Sequence, residues 1–283
     1  MQSRNPALRN AIKQAESSGS ATTSAPPAPP TGAPVDLAAQ QQMQAQLDAA
    51  MRGGSAGGQT LQLPDVIAKT AMQFGVLVIF AVVGWNFGMK YPWLWVTAAV
   101  IALVLGLVNA FKRKVSPPLI LLYAVFEGIM LGAISQFYQA AFAKPGQPLV
   151  LQAVIGTLVA FGVMLFLYSN KVIKVNGTFK KIFFVAIISY AVIGFASLIS
   201  VLFGMGGGWG FYGVGGLGIV LCLFGVALAS FSLVMDFESI SQAIAYGLPE
   251  RESWRLGFGL IVTLVWLYLE ILRLLAIVSS NSR

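Results

Sequence analysis

Seven uninterrupted apolar stretches, near residues 66–88, 92–111, 117–138, 149–168, 181–204, 214–236 and 254–278, limit what this chain can fold into more than any other feature. Each matches the roughly 20 helical residues that cross a bilayer core about 30 Å thick. Lipid cannot hydrogen-bond the open edges of strands, and the runs are too long and too evenly apolar for barrel strands, which alternate. The expected fold is therefore all-α: a polytopic membrane bundle of seven transmembrane helices. Composition agrees, since 57% of the 283 residues are hydrophobic and 10% charged, with a mean hydropathy of +0.77, far from the balance of a soluble domain.

The cations set an orientation. Lys112, Arg113 and Lys114 follow the second stretch, Lys171, Lys174, Lys180 and Lys181 follow the fourth, and Arg251 and Arg255 follow the sixth. The alternate connections hold Lys90, Lys144 and, after the fifth stretch, no cation. By the positive-inside rule the first set is cytoplasmic. Arg4, Arg9, Lys13 and Arg52 place the N-terminus on that side, and seven crossings leave the C-terminus outside a multi-pass cell-membrane protein. The net charge of +8 is then a topology signal that meets anionic lipid head groups of the bilayer, not nucleic acid, because the basic residues do not share one soluble face.

Residues 1–60 belong to another regime. The text "SSGSATTSAPPAPPTGAP" has almost no large apolar side chain and cannot offset the entropy of ordering. A helix over "DLAAQQQMQAQLDAAMR", capped by Asp36, would present mostly alanine. The expected organisation is a disordered cytoplasmic tail at 1–60 and a seven-helix domain at 61–283. The tail is not read as a secretory signal, for it has no apolar core before a small-residue cleavage site.

Several chemistries are excluded by the residue inventory. There is no histidine, which removes histidine-dependent zinc sites, Ser-His dyads and imidazole switches. The single cysteine, Cys222, reads as a small packing residue. "GMGGGWGFYGVGGLG" at 204–218 lacks the Gly-Lys-Ser/Thr ending of a phosphate cradle and reads as a flexible external loop. Within "EGIMLG", Gly128 and Gly132 are four apart, the spacing that lets another helix approach closely.

The informative minority is acidic. Glu127 lies in the third stretch, Asp236 at the inner end of the sixth and Glu270 within the seventh. A charge near the bilayer centre costs at least about 2.5–3.5 kcal/mol, so such groups face the bundle interior and a partner. Gly247 and Pro249 mark a turn around "GLPERES", and position 253 is midway between Asp236 and Glu270. A hairpin folded there brings the two carboxylates to similar depth, one helix contact apart. Arg273, three residues after Glu270, shares its helix face and could neutralise it, leaving Asp236 to titrate alone. For Glu127, hydrogen bonding to Tyr123, Asn109, Ser189 or Tyr190 is open beside a place with the acidic pair.

In their apolar settings and order, "SPPLILLYAVFEGIMLGAISQFY", "SLVMDFESI" and "LIVTLVWLYLEILRLL" resemble the transmembrane Bax inhibitor motif family, in particular a bacterial branch, over about residues 60–280. The resemblance implies a seven-helix fold and a pH-sensitive calcium leak across the membrane. It also implies that Asp236 and Glu270 form the pH-sensing pair, with Glu127 as the acid of the third helix. Two carboxylates close together in a low-dielectric site cannot both ionise cheaply, so the pair is expected to share a proton under mildly acidic conditions. Ionised, the pair repels itself and offers oxygens for weak, transient calcium coordination, short of the six to eight ligands calcium prefers. No other cofactor is expected.

Three function classes follow. An ion-conducting protein, moving calcium ions or protons through interior carboxylates, is favoured. A membrane aspartyl protease would need two aspartates in Tyr-Asp and Gly-x-Gly-Asp settings, and "VMDF" and "YLEI" match neither, so an enzyme is not expected. A non-conducting regulator would bind a membrane protein partner, such as a quality-control protease, through its tail.

Overall fold

The computed structural model describes residues 59–281 apart from 89, 174, 205–209 and 211–214. Of the tail expected at 1–60, residues 1–58 lie outside the described residues, as does most of the glycine-rich stretch at 204–218. Seven helices long and apolar enough to cross a membrane are present among the described residues. They are α1 (Leu63–Phe87), α2 (Pro92–Phe111), α3 (Pro117–Phe142), α4 (Leu149–Ser169), α5 (Gly177–Leu202), α6 (Gly215–Ala245) and α7 (Ser253–Asn281). A single 3-10 turn, Glu250–Glu252, leads into α7.

Helix starts are written locally. Proline occupies the first turn of α1, α2 and α3, where its missing N–H is one that no carbonyl would have accepted. At α1 the Gln62 N–H donates to Asp65 Oδ2 at 2.9 Å, one half of a capping box. The end of α6 is equally explicit. Gly247 has a φ of +63°, Leu248 N–H donates to the Ala243 carbonyl at 3.1 Å and Gly247 N–H to the Ile244 carbonyl at 3.0 Å. That is the Schellman arrangement, and Pro249 then prevents the helix from resuming.

This cap stands where the sequence marks the turn, and it carries α6 beyond its apolar stretch. The helix does not end near residue 236 but runs to Ala245, nine residues beyond Asp236. Hydropathy falls over "ESISQAIA", yet Ile240 and Ala243 keep a helical spacing and bury themselves against Leu61 and Val66. Nothing breaks the helix until Gly247.

Helix α7 is the hub: it packs against α1, α3, α4 and α6, whereas α5 packs against α6. Its side chains supply every large core cluster, with Ile261 and Val265 among Leu77, Tyr123 and Ala124 on one side, and Leu267 with Ala229 and Leu233 on the other. Outward, large apolar residues are open, for instance Ile79, Leu103 and Phe184. In water such a surface would cost stability at every side chain. In hydrocarbon it is the required exterior.

Gly128 and Gly132 do what their spacing predicts, and their partner is α1. A Cβ on Gly128 would strike the Leu77 carbonyl, and one on Gly132 the Ala81 carbonyl; reciprocally, one on Gly84 would strike Ile129. The two backbones touch because all three positions lack a side chain. Gly132→Val is therefore expected to cost about 1–3 kcal/mol, measured by reversible unfolding in detergent micelles. Gly162→Ala, with nothing within 4 Å of its added carbon, should stay at the wild-type value.

Candidate functional site

The structure places all three acids predicted from sequence inside membrane-spanning helices, and it does not bring Asp236 and Glu270 together. Gly225 of α6 faces Glu270, for a Cβ there would lie 2.8 Å from the Glu270 carboxyl carbon. Asp236 faces Gly259 of α7, whose Cβ would lie 3.8 Å from Asp236 Oδ1. These two contacts share one antiparallel register. In it the residue level with Asp236 is eleven before Glu270, an axial offset of about 16 Å at about 1.5 Å per residue.

The expected side-by-side pair is thus corrected, and the cause is the position of the turn. Centring the hairpin on residue 253 put the acids level, but the connection turns at Gly247, and Glu250–Glu252 already belongs to the approach to α7. Moving a turn along an antiparallel hairpin shifts the register by about twice the displacement. The weak calcium coordination expected of Asp236 with Glu270 loses the level pairing it was built on. Among the described residues no three His, Cys, Asp or Glu side chains gather as a metal site.

Glu270 is held from α5 and from its own helix, α7. It is 4% exposed. The Tyr190 hydroxyl of α5 donates to Oε1 at 2.8 Å, and the Trp266 indole, one turn earlier on α7, donates to the same oxygen at 3.2 Å. Arg273 Nη1 lies 3.4 Å from Oε2. The guanidinium also meets the Tyr138 hydroxyl of α3 and lies beside Cys222 of α6. Cys222 is fully buried, so its packing role is joined to a place in this polar knot. Gly225 is small because the Tyr190 hydroxyl and the Glu270 carboxylate occupy the space a side chain would take.

Asp236 has fewer partners, with Thr263 the one side chain that hydrogen-bonds its carboxyl among the described residues. Its Oδ2 is buried without a hydrogen-bond partner among the described residues. Across the α6–α7 contact the Thr263 side chain faces the carboxyl, and Gly259 leaves space beside it. An orphaned carboxyl oxygen inside a membrane bundle is costly and rare, because neither lipid nor a neighbouring donor satisfies it. Protonated, the group asks for one acceptor. Ionised, it asks for water or a cation.

Glu127, 9% exposed, meets the Tyr123 hydroxyl one turn earlier on α3. Tyr123 in turn packs edge-on against Phe258 of α7, with ring centroids 4.9 Å apart. No hydrogen bond joins Glu127, Asp236 and Glu270 to one another among the described residues. Of the partners open to Glu127 in the sequence, Asn109 instead donates to the Leu119 carbonyl at 3.2 Å and Tyr190 serves Glu270.

A fourth acid was missed. Glu238 falls within α6 because that helix is longer than hydropathy suggests. Its Oε2 accepts from the Tyr168 hydroxyl of α4 at 3.1 Å and its Oε1 from Gln242 Nε2 at 2.6 Å. The available signal was Gln242 at i+4, a side-chain pair that only a continuing helix can make.

Among known proteins, a sequence model of the family described as Bax inhibitor 1 like matches residues 5–280. No curated protein matches the chain.

Proposed function

The chain belongs to the Bax inhibitor 1 like family, and from that premise we propose that it is a calcium leak protein whose flux responds to protons through Asp236 alone. The observation that carries the reading is the contrast between the two acids of the last hairpin. Glu270 has two hydrogen-bond donors and a guanidinium, so its charge is answered within the fold. Asp236 Oδ2 has no partner among the described residues. A neutral Asp236 leaves the α6–α7 contact closed around Thr263 and Gly259. An ionised Asp236 draws water and a cation into that contact, the weak and transient coordination that suits permeation. Glu238, nearer the end of α6 that carries the basic connections, supplies a second acidic position along the same helix.

The orientation proposed for this path puts the N-terminus and the basic connections in the cytoplasm and the C-terminus outside the cell membrane, on the positive-inside rule. The test is calcium flux into proteoliposomes from mildly acidic to neutral pH. Wild-type flux should rise with pH as Asp236 ionises, and Asp236→Asn should remain low and flat. A protein that conducts no calcium at any of these pH values overturns this reading in favour of a non-conducting membrane regulator, whose partner binding would be lost on deleting residues 1–58.

A further inference from the structure

The chain does not run straight into α1. Thr60 pairs with Pro249 as an antiparallel bridge. Leu61 N–H donates to the Leu248 carbonyl at 2.8 Å, and Glu250 N–H donates to the Gln59 carbonyl at 2.8 Å. These flanking bonds put Thr60 and Pro249 at the non-hydrogen-bonded position, where the N–H that proline lacks is not needed. Leu61 is 2% exposed and fills a cluster with Val66 of α1 and with Ile240 and Ala243 of α6. The same corner carries an ion contact, Lys69 Nζ to Glu250 Oε1 at 4.0 Å, and the Lys69 ammonium lies 5.4 Å from the Trp254 ring centroid.

We infer that residues 59–61 are a strap that holds the end of α6 and its turn against the start of α1, so that whatever engages residues 1–58 acts on α6 through this contact. The geometry suits a releasable restraint. Its backbone part is two hydrogen bonds, and its apolar part is one leucine. Releasing them removes the cover from Ile240 and Ala243 in the last turns of α6 without disturbing the glycine-mediated contact of α1 with α3, which lies deeper. Asp236 is one turn before Ile240 on the same helix. Resting on the reading under Proposed function, freeing this end changes access to Asp236.

The experiment uses the full chain in proteoliposomes. Thr60→Cys with Pro249→Cys should cross-link on mild oxidation, because Cα atoms at a non-hydrogen-bonded antiparallel position are about 4.5 Å apart, within disulfide range. Amide exchange of residues 240–245 should slow about tenfold when the cross-link forms and return on reduction. Leu61→Pro, which removes the Leu61 donor, should speed the same amides by about tenfold. Calcium flux should fall in the cross-linked protein and rise in Leu61→Pro. Failure to cross-link, or exchange at 240–245 that ignores the cross-link, overturns the strap. Exchange that follows the cross-link while flux does not leaves the strap standing and overturns its link to Asp236. Absence of flux in the parent protein counts against the calcium reading alone, since exchange does not depend on it.

Discussion

Arg273→Met is expected to destabilise the protein by roughly 3 kcal/mol, and the further change Glu270→Gln to restore most of that loss. Removing the guanidinium leaves the Glu270 carboxylate 4% exposed in a membrane interior with two neutral donors and no cation. The magnitude is set at the low end for a broken buried ion pair because the Arg273 side chain keeps 30% of its surface open and its Nη1 sits 3.4 Å from Oε2. Glutamine removes the charge, and its carbonyl oxygen still accepts from Tyr190 and Trp266. The coupling belongs to a double-mutant cycle read by reversible unfolding in micelles. Equal costs of Arg273→Met with and without Glu270→Gln would mean that the two side chains do not depend on each other.

The second large effect is on transport. Asp236→Asn should remove the pH dependence of calcium flux, while Glu270→Gln should retain a pH profile of wild-type shape. The two acids have unequal surroundings. Asparagine mimics the neutral carboxyl and cannot acquire the charge proposed to draw a cation between α6 and α7. Glu270 already spends its charge on Arg273, so neutralising it changes the hold on α5 through Tyr190 more than it changes the field along α6. If Glu270→Gln flattens the profile and Asp236→Asn does not, the assignments of the two acids are reversed.

Much of this fold was legible because the bilayer imposes one length and one polarity on every crossing. Six of the seven expected spans agree with α1 to α5 and α7 to within a few residues at most ends. Gly128 and Gly132 were readable because close helix approach needs an absent side chain, and that signal is local. The failures have two causes. Hydropathy reports where apolar residues stop, whereas a helix stops where its backbone is capped, so the apolar stretch of α6 ends at Asp236 and the helix itself at the Gly247 turn that the sequence marks. The omission of Glu238 came from that difference, and the false level pairing of Asp236 with Glu270 from centring the hairpin on residue 253 instead of on the turn at Gly247. Arg273 and Trp266 were readable as partners of Glu270 from their spacing along α7. Tyr190 was not, because its choice of Glu270 over Glu127 depends on how α5 sits against α6 and α7.

Thiol cross-linking reads the register of α6 against α7 directly. In a Cys222→Ala background, so that the native thiol beside Arg273 cannot intervene, cysteines are placed in pairs at positions 236 and 259, 225 and 270, and 236 and 270. The staggered arrangement predicts disulfides for Asp236→Cys with Gly259→Cys and for Gly225→Cys with Glu270→Cys, and none for Asp236→Cys with Glu270→Cys. Efficient cross-linking of that last pair would put the two acids level and contradict the account.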